Sequence, residues 1–188
     1  MTTTLNTSEQ STATQTWQID PAHTEVGFEV KHLMISRVRG RFGAVSGTIQ
    51  LDEANLAGSS VEVAIDTGSI DTRSEQRDAH LRSADFFDVE RYPQITFRSR
   101  SVEQAGKDAY QVVGNLTIRD VTREVVLLVT DEGRGTDPWG GTRAGFSGTV
   151  VVDRREFGLT WNQALETGGV LVGNDIKITL DVQAVKAA

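Results

Sequence analysis

The sequence predicts an all-β chain closed into an antiparallel up-and-down barrel of about eight strands, with one short helix covering it between the third and fourth. Three observations lead there. Apolar and polar residues alternate with period two in segment after segment, as in strands with one buried and one wet face. Eighteen glycines stand against three prolines, with Val, Ile, Thr and Phe spread throughout, which favours short strands joined by turns. A length of 188 residues with 38% hydrophobic content suits one buried core and is too little for two.

Residues 1–16 are rich in Thr, Ser, Gln and Asn and read as a disordered polar tail, leaving 17–188 as the domain. The first strong alternation sets Val26, Phe28, Val30 and His32 against Glu25, Gly27, Glu29 and Lys31. Ile49 and Leu51 flank Gln50, and Val61, Val63 and Ile65 alternate with Glu62, Ala64 and Asp66. A helix is expected next, capped at Thr72 with Glu75 returning the bond, running to about Arg82 and trailing Phe86 and Phe87. Strand patterns resume at Ile95 and Phe97, at Tyr110 to Ile118, and at Ile176 to Val182. Val125–Val129 and Val150–Val152 are apolar on both faces, so a helix or a partner chain, such as a homodimer mate, is expected over part of their outer side. Closure into a barrel leaves no unpaired edge; a two-sheet sandwich is the alternative. The glycine-flanked stretches Gly133–Gly135 and Trp139–Gly141 read as one hairpin loop, without the strand-to-helix setting of a phosphate loop.

A net charge of -7 opposes binding to nucleic acid and to anionic headgroups over most of the surface. The absence of cysteine removes disulfides, thiolate metal sites and a Cys nucleophile. No run approaches the roughly 18 to 20 apolar residues of a membrane-spanning helix. The N-terminal stretch has no cationic region and no apolar core of a secretory leader, so a cytoplasmic location is expected.

His23 and His32 fall nine positions apart on what reads as one strand, so they face opposite ways and cannot share a metal. His80 has Gln76 one turn before it and thus no second imidazole at zinc spacing. Neither a metal nor a cofactor is expected. Arg73 and Arg77 fall one helical turn apart, where like charges ask for an anion between them. They and His80 are candidates for a lipid phosphate headgroup, though pairing of the arginines with Asp71, Asp78, Asp85 or Asp88 is the plainer reading. No Gly-x-Ser-x-Gly nucleophile motif occurs.

Trp17–Thr24 with Val26–His32 is similar to the opening strand of the YceI-like family of lipocalin-like polyisoprenoid-binding proteins. The likeness continues through Ser69–Thr72, Arg77–Leu81, Phe86–Asp88, Tyr92–Pro93 and Phe97. It ends with Gly114–Ile118, Thr122, Gly145–Phe146 and Arg155–Gly158, and covers roughly residues 17 to 185. Asp120 and Gln183 depart from the Gly and Glu common at those places in the family; Asp at a left-handed turn would be tolerated. Members usually carry a leader and work outside the cytoplasm. The resemblance implies an eight-stranded barrel around an elongated tunnel for a long-chain isoprenoid or similar fatty lipid.

The residues expected to line that tunnel are Phe28, Val30, Phe42 and Ile49 from the early strands, and Val63 and Ile65 from the next. Phe86 and Phe87 come from below the helix, and Phe97, Leu116, Ile118, Phe146 and Ile178 from the later strands. Small inward residues, Gly47, Gly114 and Gly148, are expected to leave room. The function read from this is lipid binding, with carrying or storage, and no catalysis. The alternatives are an enzyme using His80 and Asp78 as acid and base, or a filled-core barrel working through protein contacts.

Overall fold

In a computed structural model, which describes residues 14–188, the chain forms one continuous sheet. Its strands are β1 (Gln15–Ile19), β2 (Glu25–His32), β3 (Ser36–Phe42), β4 (Val45–Leu51), β5 (Ser60–Asp66) and β6 (Ile70–Asp71). After helix α1 (Glu75–Arg82) come β7 (Gln94–Gln104), β8 (Ala109–Ile118), β9 (Val121–Thr136), β10 (Thr142–Asp153) and β11 (Val172–Lys186). The ring runs β1-β4-β5-β7-β8-β9-β10-β11 and closes where β11 returns to β1, Trp17 opposite Lys186. That is a closed eight-stranded antiparallel barrel. β2, β3 and β6 pair in turn beyond β11, so β1/β2, β3/β4 and β5/β6 are halves of three interrupted barrel strands. Counted this way, α1 falls between the third and fourth strands.

Two of the three interruptions have a local cause in a side-chain-capped 3-10 turn. Between β1 and β2 the 3-10 turn Pro21–His23 forms because Pro21 presets its backbone and Asp20 accepts the Ala22 N–H at 3.0 Å. His23 is therefore on a turn and not on a strand with His32, which corrects the single-strand reading of that segment. Between β5 and β6, Asp66 accepts the Gly68 N–H at 2.8 Å and turns the chain through Thr67–Ser69. β1 takes in Gln15 and Thr16, the last of the polar lead-in; residues 1–13 of the expected tail lie outside the described residues.

The helix cap sits two residues later than the sequence suggests. Ser74 is the N-cap, its hydroxyl accepting the Arg77 N–H, because Arg73 takes a left-handed backbone (φ 62°) that separates Thr72 from the helix. Arg73 and Arg77 thus do not share a helical stripe. The left-handed residue of the β8–β9 turn is Arg119 (φ 56°), not Asp120.

α1 and the irregular strap 158–171 close one end of the barrel; the 52–59, 105–108 and 137–141 loops lie at the other. Only Asp137–Gly141 forms the late hairpin, since Gly133–Gly135 belongs to β9. Because α1 sits at the barrel end, it leaves the outer stripe of Val126, Leu128 and Val151 exposed. Trp17, Ile70 and Phe157 are almost fully buried and anchor the wall.

Candidate ligand-binding tunnel

Alternation along each strand turns one apolar set inward, and an eight-stranded barrel is wide enough to leave lumen between them. Two compartments lie in series. One, of about 190 Å³, is under α1; the other, of about 370 Å³, reaches toward the far end. Ile19, Val63, Phe97, Leu127, Leu180 and Val182 line both, so the two adjoin along the barrel. Phe28, Val30, Phe42, Ile65, Phe86 and Phe87 line the first, with Leu116, Ile118 and Ile178. Ile49 and Phe146 line the second, and Val63 and Phe97 stand at the junction.

The expectation that small inward residues leave empty space needs correction. A Cβ at Gly114 would overlap the Phe97 ring, one at Gly40 the Phe28 ring, and one at Gly47 the Glu62 carbonyl oxygen of the neighbouring strand, with Ile19 Cδ1 at 2.9 Å. Gly148 is likewise flanked by Leu180 and Val129 at 3.3 and 3.5 Å. The glycines are filled, Gly114 and Gly40 by Phe rings and Gly47 and Gly148 by aliphatic side chains and neighbouring backbone.

At the helix end a mouth is bordered by Val30, Lys31, His32, Arg77, His80 and Trp161. Arg77 donates from Nε to the Thr72 hydroxyl and from a terminal nitrogen to the Thr72 carbonyl, both at 2.7 Å. Among the described residues no carboxylate lies within ion-pair distance of it, so its expected pairing with a nearby aspartate does not form. Asp78 is buried and accepts the Thr72 N–H at 2.9 Å and hydroxyl at 2.5 Å, tying α1 to β6. His80 Nε2 meets Asp85 at 2.8 Å, and its ring stands edge-on to Phe86 and Trp161, 5.1 and 4.6 Å between centroids. Asp78 and His80 therefore serve different partners. Arg73 lies outside the lumen, beside Arg37, Arg39 and Arg41 on the outer wall. Among the described residues, no three His, Asp or Glu side chains gather as a metal site.

Two arginines were not singled out from the sequence. Arg154 is buried at the wall of the first compartment and donates to the carbonyls of Gly173 (2.8 Å), Leu159 (2.6 Å) and Trp161 (2.8 Å), pinning the strap. Burial pushes its pKa below the ordinary arginine value, yet a guanidinium stays charged in such a setting. In the sequence it is one of two adjacent arginines after an aspartate, and nothing there separates the buried one from Arg155, which pairs with Asp153 at 2.6 Å. At the far end, left-handed Gly133 (φ 106°) marks an irregularity in the β9–β10 register. Arg134 there lies over the Trp17 and Phe146 rings, each 5.2 Å from its centroid, and pairs with Asp131 at 2.6 Å. A glycine inside a strand pattern is the signal that could have located it.

Barrel closure is reinforced by charge. Arg143 on β10 donates to Asp20 at 2.6 Å, to Asp137 at 2.9 Å and to the amide oxygen of Gln183 at 2.8 Å. The bonds from Arg143 and then His23 hold Asp20 down at a pKa of about 2.

Comparison with known proteins places the YceI-like domain over residues 17–184. A UPF0312 protein of Vibrio cholerae is 43% identical over 138 residues, 73% of each chain. Burkholderia cenocepacia BcnA superposes with a TM-score of 0.77 at 26% identity, over 88% of this chain and 98% of that one. A polyisoprenoid binding domain from Saccharophagus degradans, implicated in plant cell wall breakdown, shares the fold at a TM-score of 0.71 and 14% identity, over 91% and 98%.

Proposed function

The chain belongs to the YceI-like family, and from that membership we propose that it binds a long-chain apolar lipid, a polyisoprenoid or similar amphiphile, in the barrel, and carries or stores it without catalysis. One observation carries this reading: two apolar compartments share six wall residues and run along the barrel. A tunnel of that form suits an extended chain better than a compact substrate. The Saccharophagus degradans domain, with the same fold, is a polyisoprenoid binding domain. Burying about 400 Å² of apolar ligand surface at roughly 25 cal/mol per Å² gives on the order of 10 kcal/mol before the costs of association.

We assign the polar end of the ligand to the helix-side mouth. Arg77 there bonds neutral Thr72 and reaches the Asp78 carboxylate only through the Thr72 hydroxyl, with no direct ion pair among the described residues, whereas Arg134 at the far end is matched directly by Asp131. An acid–base reading of Asp78 and His80 finds less support, because each is held by its own structural partner. Mass spectrometry of an organic extract of the purified protein tests the proposal. A prenyl or fatty chain in near-stoichiometric amount is expected. An empty protein that also fails to take up added long-chain prenol would overturn it.

A further inference from the structure

The β2–β3 hairpin ends in three large apolar residues, Leu33, Met34 and Ile35, with Ile35 84% exposed and Met34 51% exposed. Leu33 and Met34 both hold left-handed backbone, φ 52° and 62°, at the centre of a turn closed by the Ile35 N–H on the His32 carbonyl at 3.2 Å. Asn and Gly suit such positions; Leu and Met are strained in them. The Leu33 N–H bonds the Leu171 carbonyl at 2.9 Å and so ties the backbone of the turn to the strap, but nothing among the described residues covers the Met34 and Ile35 side chains, and their exposure points to what they meet outside the molecule.

The surroundings identify that partner. Lys31 stands directly opposite Arg37 in the hairpin, a like-charge pair, and Arg39 and Arg41 follow at alternate positions on the same outer face. Lys177 on β11 extends the group. The acidic residues on this face are outnumbered: Arg37 and Arg39 share one carboxylate, Glu29, at 3.4 and 3.2 Å, and Arg41 lies near Glu25 and Asp71. A basic face on a chain of net charge -7 is a local departure. Met34 and the 60% exposed Val151 border one shallow depression with Lys31, Arg37 and Lys177. Finally, His32 and Lys31 at the foot of the hairpin also border the mouth under α1.

We propose that the Leu33–Met34–Ile35 tip and its collar of Lys31, Arg37, Arg39 and Lys177 dock on an anionic lipid bilayer, the tip entering the headgroup layer beside the tunnel mouth. An apolar wedge with basic flanks is the arrangement such surfaces bind. Docking there would let an apolar chain pass between bilayer and tunnel with little exposure to water. The docking itself does not depend on what the tunnel holds.

Sedimentation with vesicles tests it, using phosphatidylcholine alone and phosphatidylcholine mixed with phosphatidylglycerol. The full chain should partition onto the mixed vesicles and hardly onto the neutral ones. Combined Leu33→Asn, Met34→Gly and Ile35→Ser should lower partitioning at least about tenfold while keeping or raising thermal stability, since the turn is relieved. Arg37→Gln with Lys31→Gln should weaken it by about fivefold for each charge removed. No binding of the unaltered chain to mixed vesicles, or equal binding by the tip variant, would overturn the proposal. So would a tip-dependent dimer without vesicle binding, which would make the hairpin a protein interface.

Discussion

The ring of Phe97 occupies the space a Cβ of Gly114 would take on the neighbouring strand. The pair turns a bulky aromatic into tunnel wall, as Phe28 does over Gly40.

Gly114→Val should therefore displace the Phe97 ring at the junction of the two compartments and, because the new Cβ would also come within 2.6 Å of the Arg98 carbonyl oxygen, strain the β7–β8 pairing. A loss of about 1 to 3 kcal/mol in urea unfolding is expected, as for overpacking in a core. Lipid capacity should fall more than that destabilisation explains, and Phe97→Ala added to Gly114→Val should restore part of it. Capacity unchanged in the single variant would show that the ring has another place to go.

Leu116 is 7% exposed and lines the first compartment, while its neighbour Thr117 faces outward and bonds the Thr122 hydroxyl at 2.8 Å. Leu116→Gln places an amide in the wall and should sharply reduce retained or added lipid, at a stability cost of roughly 1 to 3 kcal/mol. Thr117→Gln should leave both nearly unchanged. Equal lipid content in two folded variants would remove the tunnel from the account.

Arg154→Met should release the strap, because the carbonyls of Leu159, Trp161 and Gly173 lose their donor in a buried setting. We expect at least about 2 kcal/mol of destabilisation and faster proteolysis within 158–171. Unaltered cleavage kinetics would mean that Phe157 and Leu159 packing alone hold the segment.

The Asp20–Arg143 bond carries a pH signature. Asp20 has its folded pKa depressed to about 2 from 3.8, so its contribution is present above the unfolded value and is lost as pH falls through the folded one. Asp20→Asn should cost about 1 to 2 kcal/mol at neutral pH. It should also flatten the stability–pH curve between about 4 and 2 relative to the unaltered chain. Parallel curves over that range would place the acid sensitivity elsewhere, with Asp153, also held at about 2 by Arg155, as the next group to vary.

Strand identity and facing were legible in the sequence because the pleat repeats every two residues, and most inward sets, from Val26–Val30 to Ile176–Val182, are apolar against a polar outer set, β9 and β10 with outward Val126, Leu128 and Val151 excepted. The same periodicity turned Phe28, Val63, Leu116 and Ile178 inward, where they border the interior cavity, and the multi-part motif named the family. Periodicity reports nothing about charges whose partners are distant in the chain. Arg154 and Arg155 are adjacent and alike in sequence, yet one is buried against carbonyls up to 19 positions away and the other pairs with Asp153 on the surface. Arg77 resembles a residue awaiting a carboxylate, but the left-handed turn at Arg73 brings Thr72 to it first. Whether a glycine leaves a void or seats a ring depended likewise on register between strands, which set Ser99 opposite Gly114 and so brought the Phe97 ring over it. Local alternation determined which face each residue takes; the contacts made on that face required the closed barrel.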